Sequence, residues 1–129
     1  MTFTRVFAAV IQRNNRYLIG QRPAHKRHGG LWEFPGGKLE DGETYLDAAQ
    51  RELAEELGVK VLTIGSRLFS IADSGSVFLI EFFQTVIEGE PQCLEHLDLK
   101  WTSLEGLASL ELAPSDRRFL EFLSRSAPS

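Results

Sequence analysis

Residues 44–58 spell out both ends of one helix, and that constrains everything around them. Thr44 is a helix N-cap residue, and Asp47 stands three positions later, the spacing of a capping box. Gly58 stands where a helix closes on a left-handed C-terminal residue. Between them Leu46, Ala49, Leu53 and Leu57 recur at helical spacing and predict a buried stripe. A helix with one apolar stripe needs a surface to cover it. The flanking segments offer one, because their periodicity is that of strands. They are residues 3–12, with Val6, Ala8 and Val10 on one face, then 17–21, 59–70, 77–86 and 97–101. In the last, Leu97, Leu99 and Trp101 alternate with Asp98 and Lys100.

Turn chemistry separates these pieces. Arg13-Asn14-Asn15-Arg16 predicts a hairpin between 3–12 and 17–21. Asp73-Ser74-Gly75 and Gly89-Glu90-Pro91 are breaks, and Pro35-Gly36-Gly37 reads as a turn after the short apolar piece 32–34. Residues 23–30 form a basic, histidine-containing loop. Residues 103–110 predict a short helical turn. Pro114-Ser115-Asp116 opens a final helix through Leu123, with Phe119, Leu120 and Leu123 inward. Residues 124–129 read as a polar tail that frays. Strands dominate, with two main helices, so the predicted class is α+β in one domain spanning residues 1–129.

Bulk properties narrow the function. A chain of 129 residues and 14.5 kDa carries one real core. The formal net charge of −4 lacks the basic footprint of a nucleic-acid-polymer binder. Cys93 is the lone cysteine, so no intrachain disulfide forms. The first residues show no signal-peptide pattern, and the longest apolar runs, 7–11 and 77–80, are too short for a bilayer. A cytoplasmic protein without a membrane partner is the expectation.

The polar face of the 44–58 helix carries the chemistry. Glu52, Glu55 and Glu56 lie at i, i+3 and i+4, so their side chains are neighbours. Adjacent carboxylates repel, and a hard divalent cation such as Mg²⁺ relieves that repulsion. Alone, the three glutamates read as an ordinary solvated face. Their surroundings change this reading. Gly36 and Gly37 sit just upstream, where a backbone free of side chains can approach a ligand closely. Glu43 falls just before the helix, and Arg51 precedes Glu52.

Gly37, Glu43, Arg51-Glu52-Leu53, Glu55-Glu56 and Gly58-Val59 together match every fixed position of the Nudix box, and the chain resembles that family over nearly its whole length. It looks closest to the MutT-like branch through Gln21-Arg22-Pro23 and the run from Leu31-Trp32-Glu33-Phe34 to Pro35-Gly36-Gly37-Lys38. Leu112-Ala113-Pro114-Ser115-Asp116 resembles the bacterial CTP pyrophosphohydrolases of that branch. The resemblance implies an α/β/α sandwich around a mixed sheet. It implies Mg²⁺, with Mn²⁺ as a substitute, held by Glu52, Glu55, Glu56 and the Gly37 carbonyl. Glu43 and Arg51 match a supporting pair, and Arg22 and Lys38 match residues near the phosphates. Glu95, six residues before Trp101, matches a metal ligand or general base of relatives.

For the base, Phe34 is either a stacking platform or a core aromatic, and Phe78 reads more readily as core than as cavity wall. Asp116 matches a base-recognition position, or else supports its helix. His25, His28, His96 and Cys93 lack a metal-ligand pattern and read as structural or surface residues. The implied reaction cleaves a nucleoside triphosphate, such as 8-oxo-dGTP or (d)CTP, to a monophosphate and pyrophosphate in nucleotide-pool sanitation. The family includes monomers and homodimers. An ADP-ribose or dinucleotide pyrophosphatase is the alternative enzyme, disfavoured because Gly75, Ser76 and Val77 stand where those branches carry proline or tyrosine. A non-catalytic nucleotide-binding domain is disfavoured because every box glutamate is kept.

Overall fold

A computed structural model of the protein describes residues 2–126. Four strands make a mixed sheet in the order β5-β1-β7-β6, formed by β1 (Thr4–Val10), β5 (Gly36–Lys38), β6 (Lys60–Ala72) and β7 (Phe78–Glu88). β1 and β7 run parallel, from Thr4 opposite Phe78 to Val10 opposite Gln84, and the other pairings are antiparallel. A second four-stranded sheet is centred on β3 (Arg16–Gln21), which pairs with β2 (Gln12–Arg13), β4 (Trp32–Glu33) and β8 (Asp98–Thr102). α1 (Tyr45–Leu57) covers one side, and α2 (Leu104–Ala108) and α3 (Pro114–Ser126) cover the other. This is the α/β/α sandwich the resemblance implies.

The sandwich explains why the first strand does not keep a single buried face. Ala8 and Val10 pack with Phe82, Phe119 and Leu120 toward α3, while Phe7 and Ala9 pack with Leu53, Leu57 and Phe83 toward α1. Strands covered on both faces read as continuous apolar runs. The strand also ends sooner than expected, at Val10, and Gln12, with Arg13 from the expected turn, forms β2 of the hairpin. Asn14 and Asn15 turn that hairpin at φ 54° and 62°, the left-handed pair a two-residue turn requires.

The capping box of α1 forms as predicted. Thr44 Oγ1 accepts the Asp47 N–H at 3.1 Å, and an Asp47 carboxylate oxygen accepts the Thr44 N–H at 3.1 Å, a device contributing about 1 kcal/mol. Gly58 closes the helix at φ 67°. The buried stripe is displaced from the expected one. Ala49, Leu53 and Leu57 are buried, but Leu46 in the first turn is 38% exposed, and Ala48 and Glu56 are buried instead. The buried arc turns toward β5 and the 89–97 loop, and that brings Glu56 inside.

Gly36-Gly37 is a strand rather than the expected turn, with Phe7 opposite Gly37 and Ala8 opposite Gly36. Here glycine serves close approach, because a Cβ on Gly36 would meet the Phe7 carbonyl and one on Gly37 would overlap the Glu52 carboxyl group. The last helix continues through Ser126, so 124–126 are helical rather than a loose tail, and 127–129 lie outside the described residues. Among the described residues no helix is long and apolar enough to cross a membrane.

Candidate active site

A cavity of about 980 Å³ opens between α1, β5, the 23–30 loop and the start of α3. Its α1 end is fastened by Arg51. The guanidinium donates through Nε and Nη2 to the two Glu43 oxygens at 2.9 and 2.8 Å, through Nη1 to Glu52 at 2.6 Å, and through Nη2 to the Lys38 carbonyl at 3.1 Å. One side chain thereby ties α1, β5 and the loop before α1 together. The Arg51 hydrogen bonds, aided by the Glu40 N–H, hold the Glu43 carboxyl down at about 2. The same contacts with Glu43 and then Glu52 push Arg51 above its ordinary value.

Glu52 and Glu56, one turn apart, line the cavity, and Gly37 lies against Glu52. Glu56 is only 5% exposed, and its Oε2 has no hydrogen-bond partner among the described residues. Burial, followed by the negative charges of Glu33, Glu52 and Glu95, pushes its carboxyl up to about 9. Glu95 is exposed and lines the same wall. Glu55 is exposed and is not among the cavity-lining residues.

Glu33 and His96 join this cluster, and sequence reasoning passed over both. His96 Nε2 lies 3.1 Å from Glu33 Oε2 and 3.6 Å from Glu56 Oε1, and its ring is buried. His96 is therefore part of the carboxylate cluster, not an isolated structural or surface histidine. Two signals were available: His96 follows Glu95 directly, and Glu33 sits inside the Leu31-Trp32-Glu33-Phe34 run. Cys93 is exposed and donates its S–H to the His96 carbonyl at 3.0 Å. His25 and His28 lie on the cavity wall without joining the cluster.

The donor set fits a hard divalent cation. Several carboxylates converge, and one buried oxygen lacks any protein partner. A carboxyl so strongly disposed to hold a proton is one that positive charge would stabilise as the anion.

At the α3 end, the Phe34 N–H donates to Asp116 Oδ1 at 2.8 Å. Asp116 is 7% exposed, and burial followed by the charge of Glu33 drives its carboxyl well above the carboxylate range. Phe34 is 3% exposed and meets Phe82 and Phe119 edge-on, with ring centroids 5.9 and 5.2 Å apart, so its ring belongs to the α3 core while one side borders the cavity. Phe78 departs from the core expectation. It is half-buried in the cavity wall, at the start of β7 rather than in its covered middle, with Lys38 Nζ 4.9 Å from its ring centre. Arg22 donates to Glu33 at 2.6 Å and to the Arg27 carbonyl at 2.6 Å. Arg27 in turn reaches Asp73 at 2.9 Å, and Asp73 accepts from Ser115 at 2.8 Å, linking the basic loop to the start of α3.

This layout of sandwich, capped acidic helix and carboxylate-walled cavity belongs to a known class, since the NUDIX domain model matches residues 1–123. The chain belongs to the Nudix family. Within it, the chain is a MutT-like Nudix hydrolase. It is 39% identical over 124 residues to the CTP pyrophosphohydrolase of Escherichia coli, covering 94% of this chain and 91% of that one. It is 52% identical over 52 residues to the 8-oxo-dGTP diphosphatase of Proteus vulgaris, covering 40% of this chain and 46% of the relative. The MutT NUDIX hydrolase from Burkholderia pseudomallei superposes with a TM-score of 0.82 at 28% identity, covering 94% of this chain and 98% of that one.

Proposed function

We propose that this protein is a Mg²⁺-dependent nucleoside triphosphate pyrophosphohydrolase, releasing a nucleoside monophosphate and pyrophosphate from 8-oxo-dGTP, (d)CTP or a related modified nucleotide. The observation that carries the reading is Glu56, a buried carboxylate with one unpartnered oxygen, surrounded by Glu33, Glu52 and Glu95 at the wall of a nucleotide-sized cavity. Relatives named for CTP and 8-oxo-dGTP support the substrate class.

Glu52, Glu56, Glu95 and the Gly37 carbonyl would hold the cation, with Glu55 joining from the exposed side of α1. A bound divalent cation neutralises phosphate charge and lowers the pKa of a water. Mn²⁺ serves as a substitute. The chain's own residues do the rest. Glu43 and Arg51 fix α1 against β5, which keeps Glu52 beside Gly37. Glu95, exposed on the wall, would alternatively serve not as a ligand but as the base that takes a proton from the attacking water. Lys38 and Arg22 supply positive charge for the phosphates, and the Gly36 backbone permits their close approach. Phe78 offers an aromatic face to the base. Phe34 lends the base pocket its backbone and ring edge. Asp116, whose carboxyl burial shifts toward the neutral form, would accept at a base edge and, when protonated, donate there. This reading places the enzyme in nucleotide-pool sanitation as one domain over residues 1–129, cytoplasmic, and a monomer or homodimer.

The test is a Mg²⁺-dependent screen of normal and oxidised nucleoside triphosphates beside ADP-ribose, comparing kcat/KM. A preference for one or more triphosphates is expected. Faster cleavage of ADP-ribose than of every triphosphate would overturn the substrate class.

A further inference from the structure

His96 occupies a place made for it. Its ring lies over Gly20 of β3, where an added Cβ would stand 2.6 Å from Cδ2 and 2.8 Å from Nε2. Real Cβ contacts are essentially never that short, so any larger residue at Gly20 displaces the ring. Gly20 pairs with Glu33 across β3 and β4, so the cradle also sets where the ring meets Glu33. From there Nε2 reaches Glu33 Oε2 at 3.1 Å and faces Glu56 Oε1 at 3.6 Å. Nδ1 is buried without a hydrogen-bond partner among the described residues, so the ring's polar contacts are with these two carboxylates.

The consequence falls on Glu56. One of its oxygens faces the imidazole, and the other, Oε2, is the buried oxygen without a protein partner. The fixed imidazole 3.6 Å from one oxygen, together with the Gly36 backbone N–H, limits how the carboxylate can turn, and outer partners of this kind set the orientation of metal-binding side chains. We propose that His96, cradled by Gly20 and braced by Glu33, is a positioning residue that turns the Glu56 carboxylate so that Oε2 is offered to the divalent cation. The inference rests on the cation reading of the site.

The experiment is Mn²⁺ binding followed by electron paramagnetic resonance, in the absence of nucleotide, with folding of each variant checked by thermal melting. His96→Leu fills the space without a donor and is expected to weaken Mn²⁺ binding by roughly 10–100-fold. His96→Gln keeps an N–H donor and is expected to recover most of that loss. Gly20→Ala leaves every polar group in place, displaces the ring, and is expected to weaken binding in the same direction. In turnover with Mg²⁺, all losses are expected in kcat and in the cation requirement, with the nucleotide KM little changed. Unchanged Mn²⁺ affinity in His96→Leu overturns the proposal, as do equal losses in the Leu and Gln variants. If His96→Leu fails to fold, Gly20→Ala decides, and unchanged affinity there overturns it. Wild-type protein that binds no Mn²⁺ overturns the cation reading and this proposal with it, whereas normal wild-type binding with an indifferent His96 overturns this proposal alone.

Discussion

At the α1 end of the cavity most of the polar groups come from one stretch of chain, residues 36–56, fastened by Arg51 and Glu43. At the α3 end they arrive from separate segments: Arg27 from the basic loop, Phe34 after β4, Asp73 and Phe78 around the β6–β7 turn, and Asp116 from α3. The electrostatics differ as well. The α1 end gathers Glu33, Glu52, Glu56 and Glu95 around one partnerless oxygen, an arrangement suited to a cation. The α3 end holds two buried acids, Asp73 bonded to Arg27 and Ser115, and Asp116, whose burial favours the neutral form, an arrangement suited to hydrogen bonding. On the proposed reading, bond cleavage would depend on the α1 end, and the choice of base on the α3 end.

The largest expected break is at Glu56. Glu56→Gln keeps the shape and removes the anion, and kcat/KM with Mg²⁺ should fall about 10³-fold for every nucleotide, equivalent to ~4 kcal/mol. Tm should stay level or rise, because the native state no longer has to hold this carboxyl protonated above its ordinary range. A loss confined to one base would erase the distinction between the two ends.

Asp116→Asn sharpens it from the other side. The new side chain can still accept the Phe34 N–H, but it no longer offers an acid proton to a base. The ratio of kcat/KM between bases should shift by roughly 10²-fold while the Mg²⁺ requirement stays the same. A uniform fall across the panel would place Asp116 with the cleavage machinery instead.

Gly37→Ala should lower kcat by about tenfold with the fold retained, because its Cβ pushes the Glu52 carboxyl aside. Normal kcat would show that Glu52 need not lie against that strand.

The smallest effect is on stability. The Glu43 carboxyl is held at about 2 by Arg51, so its contribution is fully present above its ordinary value of 4.5 and is lost as pH falls through 2. Glu43→Gln should therefore lower Tm at pH 7, and the gap to wild type should close on acidification between about 4.5 and 2. A gap independent of pH would mean the ion pair does not stabilise the fold.

The same contrast explains what could be read from the sequence. The capping box, the Gly58 closure, the hairpin at Asn14-Asn15 and the Glu43–Arg51 pair depend on near neighbours, and spacing reveals such features. Glu56 was visible as acidic but not as buried, because its burial comes from β5 and the 89–97 loop rather than from the helix. Gly36-Gly37 carries a turn signature, and only the close pass of β1 and Glu52 shows why a strand needs glycine there. His96 meets Glu33 across 63 positions of chain, and Phe34 meets Asp116 across 82, so neither contact leaves a local pattern.

Phosphorus NMR of the products separates cation-dependent release of pyrophosphate from any other hydrolysis of the triphosphate. With Mg²⁺ and the preferred nucleoside triphosphate, a nucleoside monophosphate and inorganic pyrophosphate are expected in equal amounts, with no turnover after chelation. Release of orthophosphate with a nucleoside diphosphate, or turnover that survives chelation, would contradict the proposed reaction.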